Sequence, residues 1–299
     1  MRKRFESVWA IRPEATLTVV RLMSREMAAS DSPHATSTAD GKSVMLGTKW
    51  EAAGPTMRGS GGNKVAVVPI QGVLTNDGPS YYGSSYRTIA DAVEKAAADP
   101  DVKRIVLSVD SPGGEVTGLP ETAAVIAAAA KRKPVSAIVE GAAASAAYWL
   151  TSQASDITLT PSGEVGSVGV RMMHVDMSKM LEKDGITVTE LHSGDFKTEW
   201  SPYAPLSGDA KADMQARLAD SHKQFLQAIA NGRGSRASRD VTAKRYGEGR
   251  MFSSGAALKA GLVDKVQSSR DFYSGSAGIP AQVQAFAGST VPALATRRA

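Results

Sequence analysis

Residues 135–170 read VSAIVEGAAASAAYWLTSQASDITLTPSGEVGSVGV. The opening VSAIV (135–139) is a short, largely apolar run between Pro134 and Gly141, the pattern of a buried strand. Residues 142–153 are mostly small and read as a closely packed helix. DITLT (156–160) is a second strand, and GEVGSVGV (163–170) is a glycine loop. Strands that are continuously apolar, joined through a helix, predict a parallel sheet with both faces covered.

The same rhythm extends in both directions. Upstream lie a strand VAVVPI (65–70), a helix over 86–98 stopping at Asp99-Pro100, a strand RIVLSV (104–109), a turn DSPGG (110–114) and an Ala-rich helix over 117–133. Downstream the pattern predicts a helix near 177–183, a strand ITVTEL (186–191) and a long amphipathic helix over 208–231, with Met214, Leu218, Phe225 and Ile229 on one face. Short helices follow near 239–246 and 254–260, then GLVDKV (261–266). The expected architecture is α/β, with one domain over 64–268. Residues 1–63 are expected to hold an amphipathic helix within 1–29 (Leu17, Val20 and Met23 on one side) and then a Ser/Gly-rich linker. Residues 269–299 are expected to be a flexible tail.

Composition removes several classes of function. There are no cysteines among the 299 residues, which excludes disulfides, a thiol nucleophile and thiolate metal sites. The four histidines, at 34, 174, 192 and 222, are scattered, so no metal or other cofactor is expected. A net charge of +5 without a basic stripe gives no reason to expect nucleic-acid binding. No apolar run approaches the roughly 20 residues a membrane-spanning helix needs, and the opening residues lack a secretory signal pattern. The expectation is a soluble, cytoplasmic protein.

Three segments that follow strands carry candidate chemistry: DSPGG, EGAAASAAYW and EVGSVGV. Ligands in parallel α/β sheets bind beyond the carboxyl ends of the strands, so the three can converge. Ser145 stands at a helix start among alanines, where free N–H groups and close backbone approach suit a nucleophile. The same features suit a serine that only packs helices. Gly113 and Gly114 can present backbone N–H groups, or simply turn the chain. A serine nucleophile needs a base, and His174, His192 and Lys197 are candidates. A lysine amine serves only when unprotonated, about one molecule in 10³ at neutral pH unless burial lowers its pKa.

In order and spacing, DSPGG, GAAASAAYWL, GSVGV and SGDFKTEWSP together resemble the SppA-type signal peptide peptidases, a family of serine peptidases. The resemblance covers roughly 64–266. It implies a ClpP/crotonase-like fold and a Ser/Lys dyad, with Ser145 as nucleophile and Lys197 as general base. By the same resemblance Ser167 orients the lysine, and the backbone N–H groups of Gly114 and Ala146 form the oxyanion hole. It further implies homo-oligomers whose sites draw groups from neighbouring protomers. With no anchor helix in view, the chain looks more like the bacteriophage capsid-assembly (prohead) proteases, whose substrates are capsid, portal or scaffold proteins. A cellular signal-peptide peptidase, a crotonase-type acyl-CoA enzyme and a non-catalytic assembly protein are the competing expectations.

Overall fold

The computed structural model describes residues 9–11, 56–58, 64–76, 83–236 and 244–275. In chain order its strands are β1 (Trp9–Ile11), β2 (Thr56–Arg58), β3 (Lys64–Leu74), β4 (Val102–Glu115), β5 (Val135–Ala144), β6 (Asp156–Leu159), β7 (Glu164–Gly166), β8 (Met251–Ser253) and β9 (Lys265–Val266). The helices are α1 (Tyr86–Ala98), α2 (Leu119–Arg132), α3 (Ala146–Thr151), α4 (Ser178–Lys183), α5 (Gly208–Arg233), α6 (Ser254–Ala260) and α7 (Ser269–Gly275). The sheet runs β2-β3-β4-β5-β6-β9, parallel from β3 to β9, with β2 antiparallel at one edge. This is the mostly parallel sheet with flanking helices that the apolar strands predict.

The strands read as continuous apolar runs because both faces are covered. Side chains alternate across a strand. On β4 and β5, Ile105, Leu107, Val109, Ala137 and Val139 therefore face the main core, shared with Ile89 and Val93 of α1, Ile126 of α2 and the residues of α3. Val106 and Ile138 point the other way, together with Val65, into a smaller cluster closed by Phe272 and Tyr273 of α7. Residues 269–275 belong to the stretch expected to be a tail. Instead they form the helix that covers this second face, because two aromatics sit within an otherwise Ser/Gly-rich text.

Other expectations are corrected. DSPGG is not a turn but the end of β4, which continues to Glu115 because β3 still pairs with it at Gly113 and Gly114. Likewise β5 runs on to Ala144, so the helix expected from 142 begins only at Ala146. Order starts before Lys64: Thr56–Arg58 pairs antiparallel with Val65–Val67. Residues 186–191 form no strand, since among the described residues no strand pairs with them, and Ile186, Val188 and Leu191 are exposed. Trp9–Ile11 is a strand, whereas Leu17, Val20 and Met23 lie outside the described residues. Of the helix expected at 239–246, residues 239–243 lie outside the described residues and 244–246 form a turn.

Two contacts fix α5 on the body of the domain. Phe225 stacks on Trp149 of α3, with ring centroids 4.8 Å apart. At its carboxyl end, buried Arg233 donates to both carboxylate oxygens of Asp264 at 2.7 and 2.8 Å, and Asp264 also accepts from the Ile157 N–H.

Candidate active site

The carboxyl ends of β3, β4 and β5 meet around one serine. The pairing of β4 with β5 shifts register between Val109 and Ser111, and β3 shifts against β4 at Gln71–Val73, where Gly72 has φ +63°. Such bulges bend strands and re-aim the residues beyond them. Ser111 Oγ stabilises the bend, donating to the Gly72 carbonyl (2.6 Å) and accepting from the Gly113 N–H (3.1 Å). Asp110 accepts from the Ala142 N–H at 3.0 Å, and a Cβ on Gly141 would fall 2.4 Å from the same carboxylate oxygen. Sequence reading passed over Asp110 and Ser111; the DS of DSPGG is their only signal.

Ser145 links β5 to α3 with φ +53° and ψ −118°, in a region that side-chain-bearing residues rarely occupy. It is fully buried. Its N–H donates to the Gly166 carbonyl (2.8 Å), and its Oγ donates to the Gly169 carbonyl (3.1 Å). The alanines on either side permit this depth. As in any helix, the first amides of α3, starting with Ala146, have no intrahelical acceptor.

Ser167 is brought alongside by β7, which pairs parallel with Ala142–Ala144. It is buried, has φ +51°, and donates its N–H to the Arg250 carbonyl at 2.8 Å. Gly166 before it has φ +136°, and a Cβ there would sit 2.5 Å from the same carbonyl, so only glycine fits. Gly114 lies on β4 just past the Ser111–Ala143 pairing, pressed so close to Leu74 that a Cβ would be 1.9 Å from its carbonyl oxygen.

The structure therefore places Ser145, Ala146 and Ser167 side by side, with Gly114 further along the neighbouring strand β4. It does not bring Lys197 there. Lys197 is exposed, in an arm spanning 171–207, and among the described residues its amine has no hydrogen-bond or ion-pair partner. Among the described residues of one chain, nothing supplies the dry environment expected for it. The histidines do not replace it: His174 meets the Ser201 carbonyl at 3.0 Å and His192 the Gly194 carbonyl at 3.1 Å. The arm carries Met173, Val175, Met180, Ile186, Val188, Leu191 and Phe196 exposed, with Leu191 94% and Phe196 74% accessible. Among the described residues no group of His, Asp and Glu could hold a metal, and no helix is long and apolar enough to cross a membrane.

Ser145 is thus a strained, buried serine where a strand meets a helix, close to backbone N–H groups. The profile of peptidase family S49 matches residues 127–278, and the chain belongs to that family. Capsid assembly protease C of Escherichia phage lambda is 33% identical over 213 residues, 70% of this chain and 48% of that protein. Head-tail preconnector protein GP5 of Enterobacteria phage P21 is 30% identical, covering 71% and 42%. Protease 4 of Salmonella typhi is 31% identical, covering 69% and 33%. The chain spans less than half the length of each of these relatives.

Proposed function

We propose that the chain is a serine endopeptidase whose dyad is completed between protomers, Ser145 of one subunit meeting Lys197 of a neighbour. The observation that carries this reading is the contrast between the two residues. Ser145 is strained and buried at a helix start, while among the described residues the Lys197 amine has no partner and the arm that carries it exposes apolar side chains. A large exposed apolar surface marks an interaction site.

In the mechanism, the unprotonated Lys197 amine takes the hydroxyl proton as Ser145 Oγ attacks the peptide carbonyl. The N–H groups of Gly114 and Ala146 donate to the oxyanion, and Ser167 positions the amine. The ammonium then protonates the leaving nitrogen as the C–N bond breaks. Water, losing a proton to Lys197, then attacks the acyl carbonyl; the acyl C–O bond breaks, and Ser145 Oγ takes that proton back from Lys197. Likeness to the two phage proteins supports polypeptides of an assembling capsid (shell, portal or scaffold) as substrates, and a location in the host cytoplasm or procapsid.

The test is complementation with a casein substrate. Ser145→Ala and Lys197→Ala are each inactive yet folded. An equal mixture, allowed to exchange subunits, recovers about a quarter of wild-type activity, because one neighbouring pair in four then carries both groups. No recovery from two exchanging inactive variants rejects a shared site, and full activity of either variant alone rejects the dyad.

A further inference from the structure

The edge of β4 beside Ser145 is already occupied. Through Ser111, β4 pairs with β5; beyond that point β5 ends at Ser145 while β4 continues as Gly113–Glu115. On its other edge β3 still pairs with Gly113 and Gly114, so only the edge vacated by β5 is free to take a further strand. There β1 lies antiparallel, Trp9 opposite Glu115, Ala10 opposite Gly114 and Ile11 opposite Gly113.

An extended peptide binds a strand edge through main-chain hydrogen bonds whatever its sequence. Gly113–Glu115 continues β4 beyond the point where the neighbouring strand β5 gives way to Ser145, so a peptide aligned on it takes the place next to β4 that β5 has left. We propose that Trp9–Ile11 is a resident strand in the slot that substrate peptides must use, so that binding requires its displacement. The proposal rests on the peptidase reading above. The complete burial of Ser145 agrees with it, since a peptide reaches Oγ only after something moves aside. Three residues make a short ladder, which a longer peptide making the same pairings plus others can replace. The partner this surface fits is therefore any extended backbone run antiparallel to β4, residues 9–11 being its intramolecular occupant.

The experiment uses the full chain with Ala10→Pro and Ile11→Pro together. Alternate residues of an antiparallel pair donate, so this double change removes at least one ladder N–H whichever residue supplies it. Hydrogen exchange over 111–115 is expected to accelerate at least tenfold in the variant, and KM for fluorescein-casein to fall several-fold with kcat little changed. Unchanged exchange overturns the docking of β1; faster exchange with unchanged KM overturns its position in the substrate slot. A catalysis-free arm separates this proposal from the peptidase reading. A labelled peptide of sequence FESVWAIRPEA (residues 5–15) is titrated onto the same double variant carrying Ser145→Ala. Binding at least tenfold tighter than to Ser145→Ala alone supports the slot even if no substrate is cleaved, and equal binding overturns it.

Discussion

Ser145 pays for its position in backbone strain. A side-chain-bearing residue at φ +53° costs on the order of 1–3 kcal/mol, held in place by the N–H bond to Gly166 and the burial of α3. Ser145→Ala and Ser145→Gly both lose the hydroxyl and its bond to Gly169, but only glycine relaxes the dihedral. Ser145→Gly is therefore expected to be about 1 kcal/mol more stable than Ser145→Ala in urea denaturation, with both inactive; equal midpoints would show that the conformation carries no strain. At this scale the small neighbours of Ser145 are legible in the sequence, but they suit a serine that only packs helices as well as a nucleophile. The ranking of Lys197 over His174 was not legible from local features, since a loop lysine looks the same whether solvated or catalytic; only the family resemblance singled it out. The positive φ of Ser167 was equally hidden, being imposed by Arg250, a residue distant in the chain.

Elements were legible where burial wrote them into the text. The central strands are covered on both faces, so their apolar runs could not be mistaken for anything exposed. Errors fell where pairing, rather than composition, decides the outcome. The ITVTEL alternation resembles a strand but has no partner, and β4 continues through two glycines because β3 holds it. The anchoring of α5 was also invisible, resting on an ion pair between residues 233 and 264. Burial alone would raise the Asp264 carboxyl. The hydrogen bond and charge of Arg233, with the Ile157 N–H and Arg236, outweigh that and hold it below the ordinary carboxylate range. A depressed carboxyl stabilises the fold above its unfolded pKa of about 3.9 and loses that contribution as pH falls toward the folded value. Asp264→Asn should thus be less stable than wild type at pH 7, with the gap narrowing in urea titrations as pH falls below the unfolded pKa of about 3.9. A gap constant with pH would deny the ion pair this role. Arg233→Ala, leaving a carboxylate with only 19% of its side chain exposed, should cost about 3 kcal/mol at neutral pH.

At the scale of the whole molecule, the arm over 171–207 is the feature a single chain does not explain. Leu191 and Phe196 project apolar surface beside the lysine that the proposed chemistry requires. If a second copy covers them, Leu191→Asp with Phe196→Asp should shift sedimentation toward monomer and reduce casein hydrolysis at least tenfold, while far-ultraviolet circular dichroism stays unchanged. An unaltered oligomer distribution would place the contact elsewhere. A different consequence attaches to α7. Its two aromatic rings seal the underside of the sheet over Val65, Val106 and Ile138. Loss of residues 269–275 would strip the lining from three central strands and leave a sticky, short-lived product.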